Sequence, residues 1–329
     1  MEPKVNGSGS AKRYLVFIVI LFALLVLAIF NIVGGGLEHL VYYLSRSYDA
    51  VLMAAAIIFL EESLKSVRFV IAARSRGLRL SPLRAWEAHF SSLFIGMLTP
   101  AFSGAIPTAT AIIGSATGAP PSEALSVAIS ATFIDSVVPA AVSLYFAWSL
   151  MPRSVVVLLI SITIIVIWAM VISRRLTTWF LSEVSKRLNS NAARLIEGEI
   201  ENMRDSLSHI IASRRSMIPM LLVSAASYII EAFSIYVLTL GGLHGFLIDL
   251  EALMISYVGG NVPMPGGEGG VEYSLALVLR GVDAVLWRTA YIIVAMVPIV
   301  LLGRIVSEYV DYGSLVYSHY RAMLRGRGG

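Results

Sequence analysis

From Tyr14 to Gly303 the chain is a succession of apolar runs, several of them long enough to cross a lipid bilayer. A helix needs roughly 20 apolar residues to traverse about 30 Å of hydrocarbon. Tyr14–Val33, Ala50–Ala73, Ser122–Trp148, Ser154–Ser173, Met217–Leu240 and Ala284–Gly303 reach that length. Hydrocarbon offers backbone N–H and C=O groups no water, so such runs must satisfy their hydrogen bonds internally as helices. Only 14% of the residues are charged and 57% are hydrophobic, whereas a soluble domain carries about 25% charged residues. The chain is therefore expected to be an all-α polytopic membrane protein, with its membrane unit over residues 14–304 and its core between helices. Residues 1–13 and 305–329 are read as basic cytoplasmic ends. Lys12 and Arg13 precede the first run as they would in a signal peptide. That run is too long for one and no small-residue cleavage site follows, so it is read as a retained helix.

Two further regions are apolar but broken. Trp86–Leu98 and Thr108–Thr117 flank Thr99-Pro100-Ala101-Phe102-Ser103-Gly104-Ala105-Ile106-Pro107. Ile248–Gly260 and Val271–Leu279 flank Asn261-Val262-Pro263-Met264-Pro265-Gly266-Gly267-Glu268-Gly269-Gly270. Each piece is too short to span, and non-helical backbone at membrane depth survives only inside protein or along a wet cavity. The pattern predicts about six full transmembrane helices plus two re-entrant hairpins. Opposed broken segments in the two halves of a chain are the sequence mark of an inverted-repeat transporter with its site at the repeat interface.

Basic residues concentrate in short cytoplasmic loops. With both hairpins re-entrant, basic residues including Lys12, Arg13, Arg74, Arg79, Arg174, Arg187, Arg215 and Arg325 fall inside, while Arg46, Arg153 and Arg280 fall outside and Arg288 is left open. Both termini and the polar segment Arg174–Ser216 are then cytoplasmic, and the hairpins enter from opposite faces. The net charge of +4 suits orientation and contact with anionic lipid better than a nucleic-acid partner. Apolar residues recur at helical spacing through Arg174–Ser216, with a break expected at Asn189-Ser190-Asn191. That segment reads as an amphipathic helix or helical pair lying on the membrane.

Signals for catalysis or cofactors are poor. The chain has no cysteine, which excludes disulfides, zinc-thiolate sites and thiol nucleophiles. Its histidines, His39, His89, His209, His244 and His319, lack ligand spacing, so no metal site is expected. No nucleophile elbow or phosphate-binding loop is present, and Gly267-Glu268-Gly269 has no preceding strand. No cofactor and no enzymatic activity are expected.

Candidate binding residues cluster in the broken segments. Pro263 and Pro265 stop a helix, and Gly266, Gly267 and Gly269 allow close backbone approach. A helix restarting at Val271 would turn free N–H groups toward an anion such as phosphate. Glu268 and Glu272 bring negative charge to the same place. Glu272 either serves function, as intramembrane carboxylates generally do, or caps the restarted helix. Asp135 and Glu231 lie inside apolar spans, where a carboxylate must be paired, hydrated or protonated. In the uncharged first tip, Thr99, Pro100, Ser103, Gly104 and Pro107 are read equally as substrate contacts or as a packing kink among small residues. Glu61, Glu62, Lys65 and Arg68 share one helical face and are read as a local patch of ion pairs near the cytoplasmic interface.

The stretch from Pro263 to Glu272 resembles the Pro-x-Pro-Gly-Gly-x-Gly-x-x-Glu signature of the lysylphosphatidylglycerol synthase transmembrane region, a flippase-like membrane family. Thr99-Pro100 with Ser103-Gly104-Ala105-Ile106-Pro107 resembles that family's upstream Thr-Pro and Gly-Gly-x-Pro segment. The chain departs from the pattern at Ala105 and Ile106. It also has Ala131-Thr132-Phe133-Ile134-Asp135 where the family often has a Glu-Arg-x-x-Asp-like stretch. The resemblance spans about residues 14–304 of the sequence. It implies a flippase-like transporter of a phospholipid or polyprenyl-linked lipid in the cytoplasmic membrane. Since Gly329 leaves no room for a soluble aminoacyl-transferase domain, it implies translocation rather than synthesis. The partner is then a membrane lipid. The alternative is a non-transporting accessory protein that binds a lipid or a lipid- or glycan-biosynthetic enzyme.

Overall fold

The computed structural model describes residues 37–173, 190–239, 245–264, 266–267 and 269–325. Within them the fold is all-α. The order is α1 (Leu37–Lys65), α2 (Val67–Ser75), α3 (Pro82–Met97), α4 (Ala105–Thr117), α5 (Pro121–Ser149) and α6 (Val155–Ile172). After residues 174–189 come α7 (Ser190–Ala212), α8 (Arg214–Leu238), α9 (Phe246–Gly259), α10 (Gly270–Ala276), α11 (Gly281–Ala295), a 3₁₀ turn (Val297–Leu301) and α12 (Leu302–Arg325).

Among the described residues, four segments are long and apolar enough to cross a membrane: α5, α6, α8 and α11 with its 3₁₀ turn. The chain is a multi-pass membrane protein. α6 leaves Val155, Leu159, Ile162 and Val166 exposed, which is the surface that acyl chains cover at no hydrophobic cost. The expected span Tyr14–Val33 lies outside the described residues. The expected span Ala50–Ala73 is not a single helix. α1 ends at Lys65, and Arg68 Nε takes the Lys65 carbonyl at 3.1 Å. The Phe69 N–H turns to the Ser66 carbonyl at 3.1 Å, three residues back. A side chain has entered the helical ladder, a recognised cause of a break.

α1 lies at the centre, packed along α8 and α11, and α5 is flanked by α4, α6, α7 and α9. The α1–α8–α11 core includes Ile58, Phe90, Ile235, Leu253 and Trp287. A second core between α2, α4 and α5 takes in Ile210 of α7. At the C-terminal end of α7, Leu207 and Ile210 are buried against protein. Residues 174–189 of that polar segment lie outside the described residues. The basic C-terminal stretch is helical as far as Arg325, and α12 packs on α4. Ion pairs hold α12 in place, Arg84–Glu308 at 2.6 Å and Arg304–Glu87 at 2.7 Å.

Candidate functional site

The two broken pairs, α3/α4 and α9/α10, are stopped by local chemistry and completed by each other. Proline cannot continue a helix, so α3 ends before Thr99-Pro100. The Thr99 hydroxyl then accepts the Gly104 N–H at 2.8 Å at the start of α4. Ala101 and Phe102 adopt left-handed φ values of 50° and 55°, as do Gly266 and Gly267 at 60° and 67°. The tips meet through backbone bonds: Ala101 N–H donates to the Met264 carbonyl at 3.1 Å and Gly266 N–H to the Thr99 carbonyl at 3.3 Å. Polar groups freed by the helix breaks thus find partners where hydrocarbon would offer none.

These contacts are related by a local two-fold. A single constant offset in sequence carries Thr99, Ala101 and Phe102 onto Met264, Gly266 and Gly267. It exchanges the two tip bonds, matches the left-handed residues, and carries Ala105, the first residue of α4, onto Gly270, the first of α10. In an antiparallel pair bonded this way, the residue between the bonded positions sits at a non-hydrogen-bonded site and needs no N–H. Pro100 occupies that place, and the offset aligns it in sequence with Pro265, which lies outside the described residues.

The second tip is pinned from α11. Arg288, only 4% exposed, pairs with Glu272, 1% exposed, at 3.1 Å, and donates to the Gly266 carbonyl at 2.7 Å. Glu272 also accepts the Gly269 N–H at 2.6 Å. It therefore caps α10 and neutralises Arg288, so its carboxylate already occupies the donor once expected to meet an anion. Arg288 is buried between α11 and the second tip. Gly259 and Gly270 cross so closely that a Cβ on Gly259 would lie 2.2 Å from the Gly270 carbonyl oxygen. Glu268 lies outside the described residues. Gly266 and Gly267 are buried, Thr99 and Gly104 are half-buried, and Pro100, Ser103, Pro107, Pro263 and Gly269 are exposed at the tips.

A larger charged network lies between α1, α2, α3, α5, α8 and α9. Arg68 forms a two-pronged pair with Asp135, one prong at 2.7 Å, and also donates to Ser224 Oγ at 3.1 Å. Tyr228 donates to Asp135 at 3.3 Å. Lys65 Nζ is surrounded by Glu61 at 2.7 Å and by Glu62 and Glu231, each at 3.3 Å. It also bonds the Tyr257 hydroxyl, which donates to Glu231 at 2.5 Å. His89 Nε2 lies 2.6 Å from Glu62. The Arg288 guanidinium also lies over the Tyr291 ring, 5.4 Å from its centroid.

Asp135 and Glu231 are thus both paired with buried cations, and neither touches Glu272. The residues Glu61, Glu62, Lys65 and Arg68 are not a self-contained surface patch. Lys65 pairs locally with Glu61 and Glu62, but it also reaches Glu231 on α8, and Arg68 turns to Asp135 on α5. The reason is burial: all four are almost fully enclosed, and an enclosed guanidinium needs a bidentate partner that its own helix does not supply. Sequence reasoning missed His89, Ser224, Tyr228, Tyr257 and Arg288. The rule that singled out Asp135, an ionisable group inside an apolar run, applies equally to His89 and Arg288.

Ligand atoms of Glu61, Glu62 and Glu231 lie within 4.8 Å of one another, the spacing of a metal site. The Lys65 ammonium already sits among them. The arrangement can hold a proton, exchange ion-pair partners, or present charge to a polar headgroup. No curated protein and no solved structure matches the chain. The family described as the lysylphosphatidylglycerol synthase TM region matches residues 13–303. That range includes both broken pairs and the charged network between them, and the chain belongs to this family.

Proposed function

We propose that this protein is a lipid flippase-like transporter, carrying a phospholipid or polyprenyl-linked lipid across the cytoplasmic membrane. Membership of a lipid-related membrane family supports the class of substrate. The observation that carries the reading is the pairing of two broken helices, tip to tip, beside a buried network of charge. Burying so many ions costs several kcal/mol apiece after relaxation, a cost that packing alone does not require and that intramembrane function does. The tips are joined by few backbone bonds and are locally symmetric, so the α3/α4 and α9/α10 pairs act as re-entrant gates that part alternately toward either face. The Arg68–Asp135 pair, with Asp135 26% exposed on its side chain, is the part of the network a headgroup reaches first. Arg68 meets a phosphate and Asp135 meets a cationic group. In this reading both termini and the segment 174–216 are cytoplasmic, and the chain is a carrier rather than a catalyst.

The test is reconstitution of the purified chain into liposomes with a panel of labelled lipids differing in headgroup charge. At least one phosphate-bearing lipid should cross faster than in protein-free liposomes, and Asp135→Asn should slow it. Crossing at the protein-free rate for every lipid would refute the proposal.

A further inference from the structure

The carboxylates around Lys65 outnumber the positive charges available to them. Arg68 is committed to Asp135, and Arg288 to Glu272. That leaves Glu61, Glu62 and Glu231 facing one ammonium, Lys65. His89 could bring one more positive charge, directed at Glu62. The phenol of Tyr257 on α9 bonds Lys65 and Glu231, and that of Tyr228 on α8 bonds Asp135; neither brings a positive charge. Even with His89 protonated, the cluster keeps a net negative charge on side chains that are almost fully enclosed.

Glu61 is where that surplus is least supported. The residue is 0% exposed. One carboxylate oxygen faces Lys65, while the other, Oε2, has no hydrogen-bond partner. Glu62 has both Lys65 and His89, and Glu231 has both Lys65 and Tyr257. A buried carboxylate that lacks donors is neutralised by taking up a proton. A metal ion is the competing neutraliser, since the three carboxylates converge as ligands would. The point on which they converge is filled by Lys65 Nζ, which leaves a proton as the cation that fits.

We propose that Glu61 is a proton-loading site, with Lys65 as a built-in counter-ion that shifts toward Glu62 and Glu231 when Glu61 is protonated and returns when the proton leaves. The proton passes to and from the Glu61 Oε2 oxygen, with no other bond made or broken. The inference deepens the transport reading by assigning the coupling ion: each proton taken up changes the charge that α1 presents to α8, the helix pair at the centre of the fold.

The test has two arms, so that failure of transport and failure of the proton site are told apart. In the first, infrared spectra of the full chain in detergent at neutral pH are compared for wild type, Glu61→Gln and Glu231→Gln, with helix content checked by circular dichroism. Wild type should show a protonated-carboxyl stretch. Glu61→Gln should lose it by removing the group. Glu231→Gln should lose it by removing the competing charge, and gives an independent readout if the first variant does not fold. Lys65→Met should add intensity as a further proton replaces the ammonium. Absence of the band in wild type, or its persistence in folded Glu61→Gln, overturns the site. In the second arm, an imposed proton gradient should change the rate of labelled-phospholipid crossing several-fold in wild type and not in Glu61→Gln. A wild-type rate blind to the gradient overturns the coupling role and leaves the proton as structural. No crossing in wild type refutes the transport reading, while the infrared arm still decides the site.

Discussion

The pair between Glu272 and Arg288 permits a quantitative test of how the second tip is held. Glu272→Gln keeps the shape of the side chain and an oxygen able to accept the Gly269 N–H, but it removes the charge facing Arg288 at 3.1 Å. Were Glu272 only a cap, the loss would be the dipole term, roughly 0.3–1 kcal/mol. Breaking a buried pair by removing one partner instead costs about 3–5 kcal/mol, because an uncompensated charge stays behind. Arg288 keeps its bond to the Gly266 carbonyl at 2.7 Å, which places the expected loss near the lower end, about 3 kcal/mol. Arg288→Met alone leaves Glu272 buried and unpaired and should cost a similar amount. The double variant should recover part of the loss, giving a coupling of about 1–3 kcal/mol. The assay is denaturant titration in mixed micelles, following loss of helix. A Glu272→Gln variant within about 1 kcal/mol of wild type, or strictly additive single variants, would refute the buried-pair account and leave the cap alone.

Other consequences are simpler to check. Gly259→Ala places a Cβ 2.2 Å from the Gly270 carbonyl oxygen, a backbone atom that cannot swing aside, and should cost about 3 kcal/mol or more through overpacking. Gly118→Ala, at φ +67° with nothing within 4 Å, should cost only the left-handed backbone term of about 1–2 kcal/mol. A reversed order in thermal stability would contradict the close crossing at the tip. Asp205 on α7 is 73% exposed on its side chain. A cysteine placed there in this cysteine-free chain should resist an impermeant thiol reagent in intact cells and react after lysis. Labelling from outside would overturn the cytoplasmic placement of that segment.

Much of this arrangement was legible in the sequence because hydrocarbon is an unforgiving solvent. Length and apolarity marked α5, α6 and α8 with little ambiguity. Prolines and glycines placed both helix breaks close to where they fall, since nothing in a bilayer can override a missing N–H cheaply. Two opposed broken segments with a site at their interface were legible only as an expectation. The two backbone bonds that join them depend on a sequence separation that no local pattern reports. α1 misled for a related reason. The spacing of Glu61, Glu62, Lys65 and Arg68 satisfies the rule for pairs along one helix, and that rule gave a self-sufficient patch. It does not know that the face is buried, and burial sends Arg68 and Lys65 across to Asp135 and Glu231. Glu272 shows the opposite case. Its motif position was plain, but its partner Arg288 lies on another helix, inside a run read only for its apolarity.

The central claim is that transport depends on the buried network rather than on the cytoplasmic helix as a docking surface. The most direct measurement is the rate of labelled-lipid crossing per folded molecule in liposomes, for Glu231→Gln and for a variant of α7 with its exposed charge removed by Asp205→Ala. Glu231 bonds Lys65 and Tyr257 at the heart of the network, whereas Asp205, exposed on α7, pairs with its neighbour Arg204. The account predicts at least a tenfold loss for Glu231→Gln, about 1.4 kcal/mol in the barrier, and a rate close to wild type for Asp205→Ala. Near-normal crossing by folded Glu231→Gln would contradict it.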